Sequence, residues 1–281
     1  MATMEPWNAE PMRPVKWISL TVPESRDIAL KDGLIVWRVT SPLSYRRVAV
    51  PKGLLARFLR LAEQKESAFL RFAQKWGCLA LCEHGLPATH YYSCSLSLHE
   101  PVEQWRIFSR EAHAILRIRD YLNRGERAGP ADWILAHGMS ARLGWRWAAN
   151  FLAFATPRAS RVLGRNELSQ CVQAWLDAAD IRPRLTWSER ENSYQISWEP
   201  SKPWYPNLFA HIAMELMLSV ANVERLAICS GCGIPYPSSR KKRPAESRRS
   251  FCPDCGRKAA VRLAVRRFRE KAKQNRNGES E

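Results

Sequence analysis

The sequence predicts an α+β fold: a mostly helical N-terminal body with a few short strands and a β-hairpin, followed by a small four-cysteine module. Three observations predict it. Apolar residues recur at helical spacing in four stretches, within residues 51–77, 103–122, 167–179 and 207–221. Short runs rich in β-branched and aromatic residues lie between them. Near the C-terminus, two C-x2-C pairs, Cys229/Cys232 and Cys252/Cys255, have nineteen residues between them.

Trp17 to Val22 and Leu34 to Val39 read as strands. Pro51 stands where a helix would start; Leu54, Leu55, Phe58, Leu59 and Leu61, then Phe69, Phe72 and Trp76, carry one apolar face to a stop at Gly77. A second helix is expected from Glu103 to Leu122, with a break over residues 125–130. Asp132 is placed to cap the next helix, and Leu143 to Phe154, with Trp145 and Trp147, is apolar enough to be buried. Glu167 to Ala179 continues the helical pattern. Arg184–Ser188 and Tyr194–Trp198 alternate as the two arms of a hairpin, and Asn207 to Ala221 forms a helix feeding the first cysteine pair without a flexible linker. The finger is therefore expected to be docked on the body. The divisions expected are an α/β body at 1–164, a sensor or partner domain; a helix-hairpin-helix segment at 165–225; the finger at 226–272; and a disordered tail at 273–281.

Chemistry concentrates in the last fifty residues. The spacing of the pairs is that of a four-thiolate zinc site, because zinc takes four soft, deprotonated ligands in a tetrahedron and each C-x2-C turn supplies two. Gly233 and Gly256 follow the two pairs and let the backbone fold tightly there. The first pair lies between Leu226–Ile228 and Ile234-Pro235-Tyr236, as a knuckle between strands; the second opens a run from Arg257 to Lys273 without Gly or Pro. A knuckle followed by a pair at a helix start is the arrangement of a treble clef, with one structural zinc ion.

Residues 229–281 carry fifteen Lys/Arg against five Asp/Glu, a net +10 of the chain's +17. Arg240, Lys241, Lys242, Arg243, Arg248 and Arg249 fill the loop between the pairs. On the following helix, Arg257 and Lys258 lead into a basic stripe of Arg262, Arg266, Arg269 and Lys273, beside an apolar stripe of Val261, Val265, Phe268 and Ala272. The apolar stripe is expected to pack on the knuckle and the basic residues to meet phosphates, duplex DNA being favoured over RNA. A second cluster, Cys82, His84, His90 and Cys94, has ligand types for another metal ion, but its spacing fits a loop of thiols and histidines as well.

The order hairpin, helix, Arg225-Leu226-Ala227-Ile228-Cys229, basic loop, Cys255-Gly256 and basic helix resembles the C-terminal half of bacterial CGNR zinc-finger proteins, over residues 165–272. The motif here is Cys255-Gly256-Arg257-Lys258 rather than C-G-N-R. The resemblance implies an N-terminal ABATE-type α/β domain, Cys229, Cys232, Cys252 and Cys255 as zinc ligands, and a role in stress-responsive transcription regulation. The alternative from another class is a module that binds a protein, RNA or the ribosome.

An enzyme is not expected. No G-x-x-x-x-G-K, H-E-x-x-H or G-x-S-x-G appears, and no histidine follows His211 to serve a finger nuclease. The first residues show no secretory signal, and no apolar run reaches membrane-spanning length, the longest being broken by His211 and Glu215. A cytoplasmic protein without membrane partners is expected, with room for a small-molecule effector in its body.

Overall fold

Apolar residues at a period near 3.6 build most of the molecule, and strands occur as small antiparallel sheets. The computed structural model describes residues 20–24, 27–37, 45–50, 53–82, 98–144, 161–188, 193–200, 207–221, 226–237, 251–258 and 261. Two compact units are each assembled from three separate segments: residues 1–52, 70–101 and 176–211, and residues 53–69, 102–175 and 212–281.

The first unit holds the larger strands. β1 (Leu20–Pro23) pairs with β4 (Tyr45–Val48). β2 (Ile28–Lys31), β3 (Leu34–Trp37) and β5 (His99–Pro101) form a three-stranded sheet. The β2–β3 turn places Asp32 at φ 50° and Gly33 at φ 74°, the doubly left-handed turn that an Asp-Gly pair favours in two-residue hairpins. β6 (Ile181–Ser188) and β7 (Ser193–Pro200) pair along eight residues, Ile181 opposite Pro200 and Ser188 opposite Ser193, so the expected hairpin is longer at its base. Glu100 of β5 is fully buried, and its two carboxylate oxygens accept N–H bonds from Leu79 (3.2 Å) and Leu81 (3.1 Å).

The second unit is organised on α3 (Val102–Asn123), which spans about 33 Å at 1.5 Å per residue. Trp105, Phe108, Ala112, Ile115, Leu116 and Ile118 lie on its buried side. Trp105 meets Phe58 and Phe69 with ring centres 6.2 and 6.4 Å away, and Phe108 meets Trp175 edge-on at 5.9 Å. The helix expected to run unbroken to Gly77 is three pieces instead: α1 (Leu54–Leu59), a 3-10 turn (Arg60–Glu63) and α2 (Glu66–Trp76). Two causes act together, one of them distant in sequence. The Ser109 hydroxyl bonds the Phe58 and Leu59 carbonyls, which a continuing helix would use, and Gln64-Lys65-Glu66-Ser67 offers no apolar side chain to hold the next turn.

Pro130 rather than Asp132 opens α4 (Pro130–Ala136): Gly129 takes the cap position, and Asp132 lies in the first turn, bonded to Arg117 at 2.5 Å. α5 (Gly138–Arg142) follows, then α6 (Arg161–Ala178) and α7 (Leu208–Val220). Glu215 of α7, 4% exposed, accepts the Leu55 N–H at 2.6 Å and so satisfies the start of α1, which has no side-chain cap of its own. Trp145, Trp147 and the rest of the run expected to be buried beyond Gly144 lie outside the described residues. Among the described residues, no helix is long and apolar enough to cross a membrane.

Burial pushes the imidazole of His211, 4% exposed, down to about 4. The unfolded chain protonates this group near pH 6.5 and the folded chain does not, so its contribution is complete above pH 6.5 and falls away as the pH drops towards 4. Between pH 6.5 and 5 the loss is about 2 kcal/mol for this one histidine. Urea denaturation at the two pH values checks it: acidification should cost the His211→Asn variant less than the native chain, and equal losses would remove His211 as the cause.

Candidate metal centre

The first cysteine pair is set by a tight hairpin. β8 (Leu226–Ile228) pairs antiparallel with β9 (Pro235–Pro237), Ile228 opposite Pro235. The connecting turn is closed by Cys229 N–H to the Ile234 carbonyl (3.1 Å) and Gly233 N–H to the Cys229 carbonyl (2.8 Å). Gly233 has φ 71°, a left-handed conformation in which a side chain is strained. Gly231 is in a tight place for another reason: a Cβ there would lie 3.3 Å from both Cβ and Sγ of Cys255 and 3.4 Å from the Phe251 ring, so these neighbours would have to give by a few tenths of an ångström. Gly256 is under no such demand, since its φ is not positive and a Cβ would meet only the Phe251 Cβ, at 3.8 Å.

The second pair straddles a helix start. Cys252 precedes helix α8, described over 253–258 and at 261; Pro253 takes its first position, and Gly256 N–H bonds the Cys252 carbonyl at 2.7 Å. Cys255 thereby points its sulfur back to the knuckle. All four sulfurs lie within 4.8 Å of one another, and Cys232 and Cys252 are 3.8 Å apart. A tetrahedral ion with bonds of about 2.3 Å needs sulfur separations of about 3.8 Å, so the set fits a four-thiolate metal ion. Backbone N–H groups already point at the sulfurs: Gly231 and Cys252 donate to Cys229 Sγ at 3.4 and 3.3 Å, and Cys255 donates to Cys252 Sγ at 3.4 Å. Such donors stabilise thiolates. Burial alone would raise the Cys229 thiol, but the N–H groups of Cys252, Cys232 and Gly231 bring it down to about 6. Hydrogen bonding with the sulfurs of Cys232, Cys252 and Cys229 pushes Cys255 up to about 12. The cluster thus yields its first proton readily and resists the last, and a cation is what lets all four sulfurs ionise together.

The knuckle is fastened to α3 and its neighbours through main-chain atoms. Ile228 N–H donates to Asp120 Oδ2 at 3.0 Å. Asp120 is held in turn by Arg119, whose Nε and Nη2 reach Oδ1 at 2.8 and 2.5 Å and whose Nη1 donates to the Ser219 carbonyl at 2.8 Å. His113 Nε2 lies 2.7 Å from the Gly233 carbonyl; burial, with Arg117 adding to it, holds this imidazole below its ordinary value, so the neutral ring donates. Arg60 adds a longer bond to the Pro235 carbonyl, at 3.4 Å.

Cys229, Cys232, Cys252 and Cys255 are brought together; the other expected residues divide. Arg257 and Lys258 are exposed on α8, Arg257 paired with Asp254 at 2.6 Å. Arg240, Lys241, Lys242, Arg243, Arg248, Arg249, Arg262, Arg266, Arg269 and Lys273 lie outside the described residues, as do His84, His90 and Cys94. Cys82 is buried. Val261, expected to pack on the knuckle, is 63% exposed instead: α8 approaches the sulfurs through its first turn. The chain matches no family model, no curated protein and no solved structure. The sequence reading missed Gly231, Asp120, His113 and Arg60. The residue pattern did not single them out, because polar residues such as Gln104, Arg106, Arg110 and Arg119 are spread along α3 as well.

Proposed function

We propose that the chain is a zinc-dependent nucleic-acid-binding protein, a bacterial DNA-binding transcription regulator of the CGNR type, acting in the cytoplasm without membrane partners. The observation that carries this reading is the four-sulfur cluster joining a docked knuckle to a helix start, at the two ends of the loop that holds Arg240–Arg249. That arrangement supports a treble clef, with Cys229, Cys232, Cys252 and Cys255 holding one zinc ion. The ion would be structural: it fixes α8 against the knuckle and supplies no chemistry to a substrate, since four thiolates leave no open coordination position. This favours a binding protein over an enzyme.

Phosphate contacts dominate affinity in such a surface, and bases are read by few side chains. Arg257 and Lys258, exposed just after the second pair, are the described residues placed for this. The basic loop and the stripe from Arg262 to Lys273 would complete the surface. The test is fluorescence anisotropy of the zinc-loaded chain on random duplex DNA and single-stranded RNA across a salt series. About six phosphate contacts predict a log–log slope of about −5 on duplex DNA. Salt-insensitive binding, or none near physiological salt with zinc fully loaded, would sink the reading; preference for RNA would replace regulation with a translation-linked role.

A further inference from the structure

The four clustered sulfurs differ in their access to solvent. Cys229 is 1% exposed, and its sulfur accepts N–H bonds from Gly231 and Cys252 at 3.4 and 3.3 Å. Cys252 and Cys255 are half-buried, and Cys232, in the turn of the knuckle, is the exposed one. Cys232 Sγ lies 3.8 Å from Cys252 Sγ, a sulfur of the other pair. The remaining described cysteines, Cys78, Cys82 and Cys171, are buried. Attack of a cysteine on an oxidant needs a thiolate that the oxidant can reach. Ligation keeps every sulfur of the cluster deprotonated, so access is what separates them.

We infer that Cys232 is a site of oxidation by peroxide and that Cys252 resolves it, closing a Cys232–Cys252 disulfide and releasing the ion. The release rests on the zinc reading above; the disulfide does not. The Cys232 thiolate attacks hydrogen peroxide: an S–O bond forms, the O–O bond breaks and hydroxide leaves. The Cys252 thiolate then attacks the sulfenic sulfur, forming the S–S bond and expelling a second hydroxide. Two electrons pass from the sulfurs to the peroxide, and two protons from solvent turn both hydroxides into water. The ion keeps only Cys229 and Cys255 of its four thiolates and departs. Because Cys232 belongs to the knuckle and Cys252 to the start of α8, the disulfide replaces the ion as the link between them. A bond within either C-x2-C pair would leave the two halves unjoined.

The test treats the full-length, zinc-loaded chain with hydrogen peroxide in slight excess. A chromogenic chelator follows the zinc, dimedone traps sulfenic acid at early times, and peptide mass spectrometry without reduction maps the disulfides. The expected result is dimedone first on Cys232, then Cys232–Cys252 as the main disulfide, with one zinc ion released per disulfide formed. Dithiothreitol should restore zinc binding in full, since a disulfide is reversible where sulfinic acid is not. The buried Cys78, Cys82 and Cys171 should stay reduced throughout. A main disulfide within either pair, a first label on another cysteine, or a cluster that peroxide leaves reduced would each overturn the inference. A chain that purifies without zinc sinks the zinc reading alone, and the disulfide map still decides this one.

Discussion

Cys252→Ser is expected to lower zinc from about one ion per chain to a small fraction and to cost about 4 kcal/mol at free zinc about a thousandfold above Kd. The sulfur removed lies 3.8 Å from Cys232 Sγ, and its backbone amide donates to Cys229 Sγ, so the substitution opens one corner of the tetrahedron and leaves three thiols sharing negative charge. Elemental analysis with melting curves in and out of zinc checks both halves of the expectation. Full zinc retention in the variant would remove Cys252 from the ligand set. The knuckle's bonds to Asp120 and His113 do not involve this residue, so the second unit should keep its helical signal while losing its metal. A native stoichiometry of two ions would bring Cys82, His84, His90 and Cys94 back as a second site.

Gly138→Ala is expected to destabilise by about 3 kcal/mol, against the general gain of about 0.5–1 kcal/mol for such an exchange in a helix. A Cβ at 138 would overlap the carboxylate of Glu111. Glu111 is 3% exposed; burial raises its carboxyl, and the Arg142 guanidinium works against that through a short ion pair. Arg142 is itself seated over the Phe108 ring, 4.9 Å from its centre. The added methyl therefore drives a buried carboxylate away from the Arg142 guanidinium, which is costlier than the helix propensity gained. Urea melts of the single variant and of the same change in a Glu111→Ala background measure the coupling, which should be about 2 kcal/mol or more. A Gly138→Ala chain as stable as the native one would show that Glu111 swings aside freely.

Helices and the hairpin were legible because their signal is periodic burial, which a sequence displays directly. α3 and α7 fall within a residue or two of where the apolar spacing put them. The break after Leu59 was not legible, because its cause includes a hydroxyl fifty residues away in sequence. The β2–β3 hairpin was legible and overlooked: Asp32-Gly33 is the pair that such turns prefer. At the four-sulfur cluster, the cysteines that meet followed from spacing, whereas the supports did not. Asp120, His113 and Arg60 act on main-chain atoms of the knuckle, and a backbone acceptor or donor leaves no residue-type signature to search for. Gly231 and Gly256 show the same limit from the other side: two glycines near sulfurs look alike in a sequence, and only the approach of Cys255 separates the more crowded one.

The fastening of the knuckle to α3 also bears on how the chain would compete for metal. Cys229 and Cys232 are held at a fixed separation by a hairpin that α3 braces, so they present a preformed two-toothed claw. The ordering entropy of that half has been met by the folding of the helical unit, before any ion arrives. A captured ion then has to recruit only the second pair, at the high effective concentration that a tethering loop provides. On the proposed zinc-binding reading, metal affinity belongs to the whole helical unit, and a peptide cut out around the four cysteines is expected to hold an ion more loosely than the intact chain.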